Sequence, residues 1–174
     1  MLLRHVGVRK LGALVESRKA LVRYLDRQLD ETGLFVRLND VDFYRLAFVF
    51  CPPPVRVLLV ALPAQSRRDA ASVVSAYTSR LSAALYEEGR ACFDEHTLAD
   101  LGNRVGLGEG TGYNVMACCP GNPLLTRQDL DAAVERLTAT ARPLIPAMLA
   151  ALAQPTQRNP QRPVAGPAGW NDQL

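Results

Sequence analysis

Tyr113-Asn-Val-Met-Ala-Cys-Cys-Pro-Gly-Asn-Pro-Leu-Leu-Thr-Arg-Gln-Asp-Leu-Asp131 reads as a strand, a turn and the opening of a helix. Residues 113–119 form the strand, and Pro120-Gly-Asn-Pro123 closes it, because proline has no N–H to give a sheet ladder. Thr126 and Asp129, three apart, then make an N-terminal capping signature. The spacing of Leu130, Val134, Leu137, Leu144 and Met148 carries one buried helical face from about Arg127 toward Leu152, which Pro143 and Pro146 should kink or break.

On the N-terminal side, residues 8–29 place Val8, Leu11, Leu14, Val15, Leu21, Val22, Leu25 and Leu29 at steps of three and four, one face of a long helix that Gly33 ends. Residues 34–38 and 43–50 read as strands, the second closed by Cys51-Pro-Pro-Pro54. The run V-R-V-L-L-V-A-L over 55–62 is a third strand candidate, although its length also suits a buried helix turn. A second helix begins at Ser66, with Asp69 in a near capping-box position, buries Ala70, Val73, Val74, Tyr77, Leu81 and Leu85, and ends at Gly89. Residues 90–93 look like a short strand and 97–102 like a loop or helical turn. Gly106-Leu-Gly-Glu-Gly-Thr-Gly112 lacks G-x-G-x-x-G spacing and its strand-before, helix-after context, so it is expected to be a flexible loop.

This order of elements predicts an α+β fold: a small antiparallel or mixed sheet covered on one face by helices. Residues 1–152 make the domain. Residues 153–174, rich in Pro, Gln and Gly, have too little apolar surface to offset the entropy of ordering and are expected to be a disordered tail with Trp170 exposed.

Composition supports one folded domain: 174 residues, 48% hydrophobic and 21% charged. The net charge of +3, from 20 basic and 17 acidic residues without a basic stripe, argues against a dedicated nucleic-acid binder. No stretch reaches the roughly 18 apolar residues of a membrane span, and the N-terminus has no signal-peptide pattern. With Cys51, Cys92, Cys118 and Cys119 outside any C-x-x-C pair, free thiols in a reducing cytoplasm are expected.

The histidines are His5 and His96, with no H-x-x-x-H, H-E-x-x-H or paired C-x-x-C, so no metal site is expected. Adjacent Cys118 and Cys119 would point to opposite faces of a strand as small buried residues. Glu87, Glu88, Asp94 and Glu95 read as a solvated edge, and no G-x-S-x-G or S-x-x-K occurs. An independent small enzyme would have to use His96 with Asp94 or Glu95. The residues by themselves make no complete catalytic constellation. Lys10 and Lys19 are the only lysines against 18 arginines, so chemistry that needs an amine has two candidates.

Residues 115–131 resemble the final strand, N-P-x-x-T turn and x-x-D-[LI]-D helix start of the group II amino-acid decarboxylases, fold type I enzymes dependent on pyridoxal 5'-phosphate (PLP). Other segments resemble that family in the same order. Gly7-Val-Arg-Lys-Leu-Gly-Ala-Leu14 is similar to its G-R-R-x-x-x-L-K segment, residues 43–52 to its C-F-R or A-F-R-Y strand before a proline, and residues 85–93 to its L-x-x-x-G helix end. The resemblance covers roughly residues 5–150 and implies the small C-terminal domain of such an enzyme.

It further implies a lyase (carboxy-lyase) acting on an amino acid, a dimer, and PLP as cofactor. Family members place a PLP-binding large domain first, with the cofactor lysine in an H-K pair shortly before the G-R-R segment. That lysine matters because its amine forms the Schiff base to PLP. Neither Lys10 nor Lys19 follows a histidine, so no catalytic lysine carries over, and the expectation is a split subunit or truncated form that needs a large-domain partner. Gly7 and Arg9 match the turn that in the family's dimers lies near the PLP phosphate across the subunit interface. Several relatives bind a substrate carboxylate through an arginine in the last strand, where this chain has Ala117. The alternative is a non-catalytic α+β interaction module docking through an uncovered sheet face.

Overall fold

Gly7 adopts φ +76°, a conformation that only glycine enters at little cost, and from it the chain turns directly into helix α1, Val8–Thr32. The computed structural model describes residues 7–41, 45–89 and 93–154. After α1 come β1 (Phe35–Arg37), β2 (Leu46–Phe50), α2 (Pro53–Ala61), a 3₁₀ turn (Ala64–Ser66) and α3 (Arg67–Glu87). They are followed by β3 (Asp94–Asp100), β4 (Thr111–Cys118), α4 (Arg127–Ala141), a second 3₁₀ turn (Arg142–Leu144) and α5 (Ile145–Ala153). The described strands form one sheet in the order β1-β2-β4-β3 with every pairing antiparallel, which resolves the antiparallel-or-mixed expectation. Helix α3 packs on β2 and β4, while α1 packs on β1 and α4.

The core sits where these layers meet. All five residues of β2 are buried; since neighbouring strand residues point to opposite faces, both faces of the sheet are covered at that strand. Phe48 meets Phe35 edge-on at 5.5 Å and Phe93 at 5.5 Å, so three aromatic rings close one side of the layer. Burying each such side chain is worth about 1.5–3 kcal/mol. Tyr24 donates to Asp131 Oδ1 at 2.6 Å and ties α1 to α4.

The long first helix is as its periodicity predicts, but only its second half is used as core. Leu21, Val22, Leu25 and Leu29 are buried, whereas Val8 is 77% and Leu14 38% exposed. Gly33 ends α1 in the left-handed conformation, φ +67°, with its N–H on Asp30 O at 2.9 Å. Around Pro143 and Pro146 the last helical stretch breaks into α4, a 3₁₀ turn and α5, as expected of proline inside a helix. Thr126 and Asp129 form a complete reciprocal capping box.

Three local expectations need correction. Of the two readings of residues 55–62, the strand fails and the helix holds through Ala61: Pro53 and Pro54 occupy the first two positions of α2, where a missing N–H costs nothing, and Val55 and Leu59 are buried one turn apart. Ser66 does not cap α3, because the preceding 3₁₀ turn has already bound its N–H to Pro63 O and drawn it into helical conformation. Phe93, the one described residue of the expected short strand, is not in a strand, while Asp94–Asp100 pairs along its whole length with Thr111–Ala117, so residues 97–100, expected as loop or helical turn, are extended.

Between β3 and β4 the glycine-rich segment is a loop, held by its own hydrogen bonds. Asp100, fully buried, accepts from Arg104 N at 2.9 Å and Val105 N at 2.8 Å, and its carbonyl accepts from Gly110 N at 2.9 Å. Val105 and Leu107 are thereby turned into the core. Residues 155–174 with Trp170, as well as His5, Cys92 and the Arg90–Ala91 part of the expected short strand, lie outside the described residues.

Candidate functional site

The N-terminal turn of α1 carries the two residues matched to a phosphate contact. A Cβ built on Gly7 would meet nothing within 4 Å, so glycine is required there by its φ of +76° rather than by crowding. Its carbonyl accepts from Leu11 N at 3.2 Å. Arg9 and Lys10 stand exposed on the first turn, which has no acidic residue. The unpaired N–H groups of a helix start and a guanidinium beside them suit an anion.

As a test of fit, these residues would suit PLP at one place alone, its phosphate. Nothing among them holds its ring: Lys10 is exposed at the helix start and Lys19 is bonded to Glu16 at 3.0 Å. Ala117, at the position of the family's carboxylate-binding arginine, is buried between Ala47 and Asp94 of the neighbouring strands.

The acid and histidine cluster does not assemble into a catalytic group. Along β3, Asp94 and His96 point to one face and Glu95 to the other. Ser79 donates to Glu95 Oε1. Arg45 Nη2 lies against His96 Nε2, and since a guanidinium can only donate, that ring nitrogen is the acceptor. Glu88 pairs with Arg136 at 3.3 Å, and Glu87 is exposed.

Two of the thiols, Cys51 and Cys118, are poor nucleophiles for a physical reason. Burial pushes Cys51 up to about 12, and burial, with Cys119 and Asp94 nearby, pushes Cys118 up to about 11. Cys118 ends β4 half-buried and Cys119 lies beyond the strand and is exposed, so the expected burial does not hold for Cys119. Among the described residues no group of three His, Cys, Asp or Glu side chains could hold a metal ion.

Sequence reasoning missed a different feature. Between the second half of α1 and strands β1 and β2 lies a cleft of about 330 Å³. Its charged walls are Asp26, Arg27, Asp30, Arg37, Arg56 and Arg104. Arg37 donates to Asp26 Oδ2 at 2.6 Å; Arg56 donates to Gly33 O at 2.8 Å. Arg104 reaches both Asn39 O at 3.1 Å and Asp40 Oδ1 at 2.5 Å, and this bond holds the Asp40 carboxyl below the usual carboxylate range. No motif announces this gathering; the one sequence signal was the preponderance of arginine over lysine.

No family model matches the chain, and no curated protein matches it in sequence. Solved structures do match its fold. Mouse CSAD in apo form is 21% identical with a TM-score of 0.62, over 82% of this chain and 27% of that one. A second structure of mouse CSAD gives 20% and 0.60, over 82% of this chain and 26% of that one. Oryza sativa TDC with PLP and tryptamine gives 15% and 0.58, over 82% of this chain and 25% of that one. These proteins are group II PLP decarboxylases, and the chain has an α+β fold that they contain. It spans about a quarter of their length.

Proposed function

We propose that this chain is the C-terminal, small-domain portion of a PLP-dependent amino-acid decarboxylase-like enzyme, a carboxy-lyase, and that it works as a split subunit or truncated form with a PLP-binding large domain supplied by another chain. The observation that carries the reading is the fold likeness over 82% of the chain to group II PLP decarboxylases. The four sequence segments that resemble the same family, in the same order, support it. So does the exposed first half of α1, where Val8 and Leu14 stand uncovered beside Arg9, an apolar and basic surface suited to another domain.

In this reading Gly7 and Arg9 meet the PLP phosphate across a subunit interface in a dimer, and the partner contributes the lysine, whose amine the cofactor needs for its chemistry on the amino acid. The setting is the cytoplasm, where the thiols of Cys51, Cys118 and Cys119 stay free. No described helix is long and apolar enough to cross a membrane.

The test is co-purification with a PLP-type large-domain chain, followed by visible spectroscopy with PLP and borohydride reduction. The expected result is a stable complex, a lysine-linked absorbance only when the partner is present, and reduced cofactor on a partner lysine. Reduced cofactor on Lys10 or Lys19 of this chain alone would overturn the split reading. Capture of an unrelated protein, with no large domain bound, would support the interaction module instead.

A further inference from the structure

We infer that the cleft between α1 and the β1–β2 edge is a binding site for a small monocarboxylate with an apolar body. The inference is independent of the enzyme reading and of the α1 N-terminus. At about 330 Å³ the cleft falls at the lower end of the range for small-molecule pockets, about 300–1,000 Å³. Its walls come from α1, β1, β2, α2 and the β3–β4 loop, so its shape is set by the packed fold and not by one mobile segment.

Charge decides the class of ligand. Four guanidiniums line the cleft, from Arg27, Arg37, Arg56 and Arg104. Asp26 neutralises Arg37, Asp40, which stands outside the lining, neutralises Arg104, and the other lining carboxylate is Asp30. Counted this way the site keeps one positive charge, which suits a monoanion better than a phosphate dianion. Arg56 is the natural anchor. It is half-buried, its recorded hydrogen bond goes to a backbone carbonyl, and it makes no ion pair with a described carboxylate. A guanidinium has five N–H donors, so that one bond leaves others to present to a carboxylate. Phe35, Leu46 and Phe48, all core residues, form an apolar floor beneath the charged walls, over which the body of the ligand would lie.

The probe is benzoate, titrated calorimetrically into the full chain at low salt, with acetate and benzyl alcohol as the two halves of the same chemistry. Methyl resonances of Leu29 and Leu46 report where it binds. Expected are one site per chain, binding of benzoate well above both controls, shifts of those two methyls, and weakening by about tenfold or more in Arg56→Gln, as befits loss of a charge-assisted hydrogen bond. Because Arg56 also holds Gly33 O, Arg27→Gln is the second variant. Arg27 is exposed and packs over Tyr24, so the fold does not depend on it, and its loss should weaken benzoate severalfold. No saturable binding, equal affinity for benzyl alcohol, or unchanged affinity in both variants would each overturn the assignment.

Discussion

Replacing Asp100 tests whether the β3–β4 loop is built around that carboxylate. Each of its oxygens accepts one backbone N–H: Oδ1 from Arg104 at 2.9 Å and Oδ2 from Val105 at 2.8 Å. The side chain is fully buried, and the Gly110 N to Asp100 O bond holds the loop closed, so the two donors cannot swing out to water without opening it. Asp100→Ala strands both donors. A buried unsatisfied N–H costs about 1–3 kcal/mol, and since the Arg104 bond is only partly buried, the loss should come to about 3 kcal/mol. Asp100→Asn retains one acceptor oxygen but turns an NH₂ toward the other donor, and should lose about 2 kcal/mol. Urea unfolding of the full chain reads both values as shifts of midpoint at constant slope. Hydrogen exchange localises them, with the Arg104 and Val105 amides speeding up most. An Asn variant within about 0.5 kcal/mol of the parent, or unchanged exchange at those two amides, would refute the reasoning.

Thr126→Ala removes a working capping box and should cost about 1 kcal/mol in urea unfolding, whereas Ser66→Ala, at a serine that makes no cap bond, should stay within about 0.5 kcal/mol. Gly33→Ala places a Cβ at φ +67°, with no clash since Pro53 Cγ is at an ordinary contact distance of 3.8 Å, and should destabilise by about 1–2 kcal/mol through the backbone alone; a neutral result would mean that α1 ends differently. Iodoacetamide at neutral pH should modify exposed Cys119 well before Cys51 and Cys118, read by peptide mass mapping, because the buried Cys51 and half-buried Cys118 hold their protons to about 12 and about 11. The same elevation makes stability depend on alkaline pH. Cys51 ionises at 9.0 when free and at about 12 in the fold, so its contribution is complete below pH 9 and is lost as the pH rises through about 12, the unfolded chain releasing its proton first. Urea midpoints measured from pH 8 to 11 should fall with pH, and fall less steeply in Cys51→Ala.

How much of this was legible in the sequence depended on where the controlling interaction lies. The face of α1, the capping box at Thr126 and the proline break near residue 143 are local, with partners three or four positions away, and each appears where the pattern puts it. The failures at β3 and α2 have tertiary causes. Asp94-Glu-His-Thr-Leu-Ala-Asp100 has no hydrophobic alternation to betray a strand; it is extended because all seven residues find partners on β4, and because Ser79 and Arg45, remote in sequence, receive Glu95 and His96. Residues 55–62 are apolar enough for either period, and α2 is decided by the prolines that start it and by the two residues it buries. The functional features divide along the same line. Gly7 and Arg9 are contiguous and so could be matched to a family segment, and the structure adds the reason for the glycine, its positive φ. The arginine cleft could not be matched to anything, since its lining is drawn from five elements between positions 26 and 104. Arginine is what such an assembly needs, because its fork can satisfy a carbonyl or carboxylate of the fold and still offer N–H groups to a ligand, which a lysine ammonium does less well. The preponderance of 18 arginines over two lysines therefore has two separate consequences: it leaves Lys10 and Lys19 as the only side-chain amines, and it lines the cleft with guanidinium forks that can be presented to an anion.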